Sequence, residues 1–331
     1  MKPLKRITTV ALALCMAATC CAGLTGCSGS TSNETVIIYS NADDEAVASM
    51  ETTLDANGYE GQYTIQSFGT SELGGKLLAE GTDIEADVVT MSSYYIESAQ
   101  AQNDMFLDLN FDVNTTESYP SYYAPFLANQ GALIVNTEVL AEEGLDMPNA
   151  IADLADPQYA GHISIVDIQG SSTAWLMIQA LVNEYGEDGT KEVLTGIYEN
   201  AGAHLEQSGS GPIKKVRAGE VAIGFGLRHQ AVADKADGLP VDYVDPTEGN
   251  FTLTESLAVV DKGEDTNELA MKMVQCIAEE GREDLMQYYP VPLYEGENVD
   301  ETAIATNNKV FYETLTVELL DEHRALSESC K

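Results

Sequence analysis

Basic residues are scarce in this sequence. It contains 16 Lys and Arg against 54 Asp and Glu, which gives a formal net charge of −38. A surface this acidic repels phosphate backbones and anionic lipid headgroups, so bulk electrostatic binding of nucleic acid or of an anionic membrane is excluded. Any binding function must therefore depend on a local arrangement of side chains.

The sequence also lacks the motifs that mark common catalytic and metal sites. It has no CxxC pair, no HExxH, no GxSxG and no P-loop. Its four histidines are scattered and have no obvious nucleophile beside them: His162, His204, His229 and His323. We therefore expect no enzymatic activity, no cofactor and no resident metal. An extracytoplasmic hydrolase and an adhesin or scaffold lipoprotein remain as alternatives.

The first residues have the organisation of a lipoprotein export signal. Lys2, Lys5 and Arg6 precede an apolar run over 7–23, which is too short for a stable membrane span. The run leads into Leu24-Thr25-Gly26-Cys27, which resembles a bacterial lipobox. The pattern predicts a signal peptide over 1–26, a lipid on Cys27 and a polar tether over 27–34. Removal of three positive charges with the signal peptide changes the net charge from −38 to −41.

Few cysteines remain after this segment. Cys276 and Cys330 are the two that follow Cys27. An extracytoplasmic location would permit a disulfide between them, but two cysteines do not establish one. Whether they pair is left open by the sequence.

Short apolar runs alternate with helical patterns along the mature chain. Strands are predicted over 35–40, 63–68, 86–92, 132–140, 162–168, 221–226, 240–245 and 256–261. Helices are predicted over 43–57, 71–80, 94–102, 173–185 and 191–200, from about 230, and over 265–280 and 303–326. This alternation indicates an α/β fold with mostly parallel, helix-covered sheets.

Two stretches are predicted to cross between two lobes. The first is the strand over 132–140 and the second is the strand over 256–261. The resulting division places 35–131 and 258–331 in a discontinuous first lobe, and 132–257 in the hinge strands and second lobe.

Hydroxyl, amide and glycine residues recur where a predicted strand gives way to a helix. In open α/β sheets, ligands lie beside such turns, where free backbone N–H groups and the helix dipole favour an anion. Each turn could instead be an ordinary N-cap. Ser208–Gly211 is a further hydroxyl loop or a plain turn. The candidate ligand contacts from the four turns are Ser40, Asn41, Gly69, Thr70, Ser71, Ser92, Ser171, Ser172 and Thr173.

Arg228 and His229 follow the predicted strand over 221–226, at the same edge of the second lobe. A guanidinium offers a planar fork of donors that fits a carboxylate or a phosphate. Arg228 is therefore either a ligand contact or half of a structural salt bridge. His229 is a second candidate.

Five segments resemble the extracellular solute-binding lipoproteins of ABC importers, in the group that includes ferric-iron, phosphonate, sugar-phosphate and thiamine binders. The resemblance spans nearly the whole mature chain and depends on the order of the segments. They are VIIYSNADDEAV (36–47), SELGGKLLAEGTDIEADVV (71–89), GHISIVDIQGSST (161–173), VRAGEVAIGFG (216–226) and YVDPTEGNFTLTESLAVVDKG (243–263).

The resemblance implies a two-lobed type II periplasmic-binding-protein fold that closes on a ligand by hinge motion and docks on a permease. Ferric-iron members carry adjacent tyrosines where this chain has Gly226-Leu227-Arg228-His229, and a histidine where it has Ser40-Asn41-Ala42. A guanidinium cannot ligate iron.

The expected function is capture of a small phosphonate- or phosphate-bearing organic anion by a monomeric receptor. A lipid on Cys27 would hold the receptor at the outer face of the bacterial cell membrane, where an ABC permease is its partner. Ferric iron or a metal chelate is the alternative ligand.

Overall fold

The first three strands and their helices form the β-α alternation that the sequence predicts. The computed structural model describes residues 35–300 and 303–331, which belong to one compact unit. The predicted signal peptide, Cys27 and the tether lie outside the described residues. In the described part of the chain, no helix combines the length and apolar character that a bilayer crossing needs.

The strands are β1 (Val36–Ser40), β2 (Tyr63–Ser67), β3 (Val88–Ser92), β4 (Ala124–Asn136), β5 (Ile163–Val166), β6 (Leu205–Glu206), β7 (Ile223–Leu227), β8 (Val241–Val244) and β9 (Thr252–Val259). The helices are α1 (Asp44–Ala56), α2 (Thr70–Glu80), α3 (Ser93–Asn103), α4 (Thr137–Glu143), α5 (Thr173–Ala201), α6 (Gly211–Arg217), α7 (Arg228–Ala236), α8 (Glu268–Glu280), α9 (Arg282–Tyr288) and α10 (Val317–Glu328).

These strands form one mixed sheet in the order β2-β1-β3-β9-β4-β7-β5-β6, with β8 also paired to β4. The pairs β1–β2, β1–β3, β5–β7 and β5–β6 are parallel, whereas β4 and β9 run antiparallel to their neighbours. The parallel strands therefore lie in two groups, and β4 and β9 join the groups.

Strand β4 changes partners along its length. Up to Gln130 it pairs with β9, and from Gly131 it pairs with β7. A Cβ on Gly131 would lie 2.5 Å from Phe225 Cζ, so glycine is required where β7 approaches this closely. The predicted crossing strand over 132–140 is corrected here. The strand begins at Ala124 and ends at Asn136, whose side chain accepts hydrogen bonds from the first amides of α4.

One further helix prediction needs correction, and another is confirmed. The helix predicted over 303–326 is confined to Val317–Glu328, where Thr316 caps the first turn, and no regular helix covers 303–316. The two helices predicted around residue 186 are present, and Gly186 at φ 66° marks the break between them. The lobe boundaries stay a prediction.

Buried apolar side chains lie on both faces of the sheet. On one face, Val36, Ile38 and Leu257 pack against α1 and α8. On the other, the core continues from α2 and α3 into α5, where Trp175 is fully buried. The Trp175 indole N–H donates to Nδ1 of His323 at 2.7 Å and so attaches α10 to α5. The core leaves the carboxyl ends of β1, β2 and β5 free to form a cavity.

Candidate functional site

A cavity of about 470 Å³ lies among the loops that follow β1, β2, β5 and β6. Its first wall comes from the loops after β1 and β2, with one residue each from β4 and β9. Its second wall comes from the loops after β5 and β6, with residues of α6, β7 and α7. The first wall comprises Asn41, Ala42, Asp43, Asp44, Glu45, Phe68, Gly69, Thr70, Asn129 and Glu255. The second comprises Gly170, Ser171, Ser172, Thr173, Gln207, Ser208, Gly209, Ser210, Lys214, Arg217, Leu227 and Gln230.

Six of the candidate ligand contacts from the sequence line this cavity: Asn41, Gly69, Thr70, Ser171, Ser172 and Thr173. The two walls approach each other at their glycines, since a Cβ on Gly69 would lie 4.0 Å from the carbonyl oxygen of Gly170. The structure therefore brings together turns that are about 100 residues apart in the chain.

Three predicted serines do not line the cavity. Ser40 is fully buried, and its hydroxyl accepts from the Thr90 hydroxyl at 2.6 Å. Ser71 faces away on α2, where it accepts from Nη2 of Arg324 at 2.7 Å. Ser92 is fully buried in β3. The hydroxyls of Ser40 and Ser71 thus bond within the fold, whereas the Ser92 hydroxyl has no hydrogen-bond partner among the described residues.

Arg228 also lies away from the cavity. Its guanidinium donates from Nε to Oδ1 of Asp245 at 2.7 Å and from Nη2 to Oδ2 at 3.3 Å. The remaining N–H groups donate to the carbonyl oxygens of Ala303 and Ile304. Burial alone would raise the pKa of Asp245, but hydrogen bonds from Arg228 and Thr306 hold it below its usual range. Arg228 thus faces a structural carboxylate, as in the salt-bridge alternative from the sequence.

His229 joins the two sides of the cavity from behind. Its Nε2 lies 3.4 Å from Oδ2 of Asp43, and its ring packs on Tyr289 with the centroids 4.3 Å apart. The Tyr289 hydroxyl donates to the same carboxylate. Burial would raise the pKa of Asp43, yet the contact with His229, the Tyr289 hydroxyl and the amide of Ala46 lower it.

Glu255 is the main cavity residue that the sequence prediction missed. It lies in β9 and is 4% exposed. Its Oε1 accepts from Nδ2 of Asn41 at 3.2 Å and from Nδ2 of Asn129 at 3.3 Å. Burial and the nearby charge of Asp43 raise the pKa of Glu255 to about 8, against the two amide hydrogen bonds that lower it. Glu255 directly precedes the predicted crossing strand over 256–261, and no local pattern in the sequence marks it as a cavity residue.

The second wall combines hydroxyls with basic side chains. The loop after β6 packs so tightly that a Cβ on Gly209 would lie 2.3 Å from Thr173 Oγ1. Ser208–Gly211, which the sequence left open as a hydroxyl loop or a plain turn, thus contributes Ser208 and Ser210 to the cavity. Lys214 and Arg217 follow on α6, both largely exposed, and Arg217 donates from Nε to Asp234 at 2.6 Å.

Among the described residues, no group of three or more His, Cys, Asp and Glu side chains is arranged to hold a metal ion. Cys276 and Cys330 are both free thiols, which answers the question that the sequence left open.

Comparison with known proteins identifies the family. The profile described as "Bacterial extracellular solute-binding protein" matches residues 87–311, which is more than half of the chain. The chain belongs to this family. Family membership places this solute-binding protein outside the cytoplasm, and the family is one of binding proteins.

The solved structures confirm the two-lobed periplasmic-binding-protein fold. One of them is the periplasmic binding protein AfuA from Actinobacillus pleuropneumoniae with fructose-6-phosphate bound. AfuA is 20% identical in sequence, and the superposition has a TM-score of 0.72 and covers 89% of this chain and 97% of the AfuA chain. Iron-bound HitA from Pseudomonas aeruginosa is 18% identical at a TM-score of 0.69, and the match covers 90% of this chain and 99% of the HitA chain. These identities show the fold and leave the ligand undetermined.

One curated relative is an uncharacterized protein of Haemophilus influenzae, 28% identical over 150 residues. The match covers 45% of this solute-binding protein and 43% of the relative. The chain thus spans less than half of that relative's length.

Proposed function

We propose that this protein is the solute receptor of an ABC importer and captures a small phosphonate- or phosphate-bearing organic anion in the cavity. The lobes would close on the ligand and deliver it to a permease, and a lipid on Cys27 would hold the receptor at the membrane. The family and the fold support the receptor role. The phosphorylated ligand of AfuA supports the ligand class only by analogy.

The second wall of the cavity carries this proposal. Gly170, Ser171 and Ser172 lie at the N-terminus of α5, where backbone dipoles favour a negative group. Hydroxyls of Ser208 and Ser210 add neutral donors, and Lys214 adds a positive charge. These groups together suit a compact anion with several acceptor oxygens.

Calorimetry on matched compounds tests the proposal. Glucose 6-phosphate and ethylphosphonate are each titrated into the protein, and glucose and ethanol are titrated as their uncharged partners. We expect at least one phosphorus compound to bind and its uncharged partner not to bind. Lys214→Ala should weaken binding by about tenfold or more, because a charge-assisted hydrogen bond contributes about 1.5–3 kcal/mol.

Lys215→Ala is the matched control. Lys215 is the next residue on α6 but bonds to Glu220 at 2.9 Å and does not line the cavity. Equal losses in the two variants would contradict a specific contact. Absence of binding by every phosphorus compound, with binding of ferric iron, would replace the proposal by the metal alternative.

A further inference from the structure

Three residues of the first wall carry buried side-chain acceptor atoms that have no hydrogen-bond partner in the described part of the chain. Oε2 of Glu255, Oδ1 of Asn41 and Oδ1 of Asn129 are buried and lack a hydrogen-bond partner among the described residues. Gln230 lies on the second wall and is 4% exposed, and its buried Oε1 also has no hydrogen-bond partner among the described residues. Buried acceptors without donors are costly, so a site of this kind is completed by a ligand that donates.

The positions of these acceptors are fixed by their own hydrogen bonds. The amide nitrogens of Asn41 and Asn129 both donate to Oε1 of Glu255, which leaves their carbonyl oxygens for a third group. Asn41 is further held by its bond to Thr70 Oγ1 at 3.2 Å. The three residues come from a loop, β4 and β9, so the arrangement depends on the fold as a whole.

Charge divides the cavity in the same way. The first wall carries the carboxyl groups of Asp43, Asp44, Glu45 and Glu255, whereas Lys214 and Arg217 lie on the second. A ligand that is only anionic would meet repulsion from the first wall. A ligand with one positive and one negative end matches both walls.

We infer that the ligand carries a primary ammonium group, which is held by Glu255 together with the side-chain carbonyls of Asn41 and Asn129. An ammonium has three N–H donors and no acceptor, which matches Oε2 of Glu255 and the side-chain carbonyl oxygens of Asn41 and Asn129. The inference deepens the proposed function, since it makes the phosphorus compound an amine as well. Burial raises the pKa of Glu255 to about 8, so the carboxyl is mostly protonated when the cavity is empty. An arriving ammonium favours its ionised form.

Three compounds test this inference by calorimetry on the intact mature protein. 2-Aminoethylphosphonate has both groups, ethylphosphonate lacks the amine, and propylamine lacks the phosphonate. We expect wild-type protein to bind 2-aminoethylphosphonate at least about tenfold more tightly than ethylphosphonate. In Glu255→Gln this preference should fall to about twofold or less, since the amide keeps the shape and loses the charge.

Glu51→Gln is the control for the removal of one negative charge. Glu51 is exposed on α1 outside the cavity, so its variant should keep the wild-type preference. Thermal unfolding without ligand checks that both variants are folded. If Glu255→Gln is unfolded, Asn129→Ala is used in its place, with the same loss of preference expected.

The outcomes separate the two proposals. Equal binding of ethylphosphonate and 2-aminoethylphosphonate overturns the ammonium site and leaves the phosphonate receptor standing. Propylamine binding that depends on Glu255, without any phosphonate binding, supports the ammonium site and overturns the proposed ligand class. Failure of all three compounds to bind overturns the ammonium site, and if glucose 6-phosphate also fails to bind the proposed ligand class is overturned as well.

Discussion

Glu255 illustrates how burial sets the chemistry of a single residue. Its carboxyl is surrounded by Asn41, Asn129 and the carboxylate of Asp43, while Tyr94 and Tyr289 also lie within electrostatic range. His229 contacts Asp43, with Nε2 3.4 Å from Oδ2. Burial first and the charge of Asp43 second raise the pKa of Glu255 to about 8, so the residue is a neutral acid over much of the physiological range.

A pH-dependent loss of stability follows for the empty protein. The pKa of Glu255 is about 8 in the folded state and about 4.3 in the unfolded state. Between these pH values the folded state holds a proton that the unfolded state has lost. The free energy of unfolding therefore declines as pH rises towards 8. Wild-type protein should therefore lose about 1–3 kcal/mol relative to Glu255→Gln between about pH 5.5 and about pH 7.5. Urea unfolding of both proteins at each pH measures the difference. A difference that is constant with pH would contradict the raised pKa.

The limits of sequence reasoning are clearest at this scale. Ser171, Ser172 and Thr173 were predictable because hydroxyls at a strand-to-helix turn have a local cause. Glu255 was not, because its role comes from Asn41 and Asn129, which are distant in sequence. Arg228 was a candidate ligand contact but pairs with Asp245, and no local pattern in the sequence indicates this partner.

At the scale of elements, Arg228 connects three parts of the chain. It begins α7, pairs with Asp245 after β8, and donates to the carbonyls of Ala303 and Ile304. Asp245 in turn accepts from the amide and hydroxyl of Thr306. The 303–316 segment, where a helix was predicted, is held by these contacts in place of a regular backbone ladder.

Removal of the guanidinium should destabilise this connection. Arg228→Ala leaves Asp245 buried without its counter-charge, and breaking such a pair costs about 3–5 kcal/mol. Chemical unfolding of the ligand-free protein measures the loss. Lys191→Ala is the control, because Lys191 lies 3.8 Å from an exposed Asp188 and should contribute less than about 1 kcal/mol. A loss that is no larger in Arg228→Ala would show that the pair is not structural.

The order of the elements was more predictable than their partners. Alternation of apolar and helical patterns located the strands from β1 to β3 and from β7 to β9, because each pattern is local. The bounds of β4, β9 and α10 were placed wrongly, and β9 runs from Thr252 to Val259 where the strand was predicted over 256–261. Residues 137–140 are apolar enough to continue a strand, yet Asn136 caps a helix there.

At the scale of the whole molecule, the acidic surface is compatible with the proposed anionic ligand because charge repulsion decays with distance. The net charge of −38 is spread over the chain, and at physiological salt it is screened beyond about 8 Å. Lys214 and the N-terminus of α5 act within the cavity itself. An ammonium on the ligand would further reduce the repulsion during approach.

The proposed membrane location depends on Cys27, which lies outside the described residues. Cys27→Ser should release the protein from the membrane fraction into the soluble extracytoplasmic fraction, because the lipid is the proposed anchor. Fractionation with immunoblotting measures the distribution, and Cys276→Ser, which removes a free thiol in α8, is the control. Retention of the Cys27→Ser protein at the membrane would contradict the lipid anchor.

The first half of strand β4 pairs with one group of strands, and its second half pairs with the other group. A hinge formed by a continuous strand bends by changing the twist of the sheet. Backbone hydrogen bonds to the neighbouring strands resist this bending, unlike in a flexible linker. Neither half can melt without exposing an open edge of the other. We therefore expect the two groups of strands to unfold in a single transition.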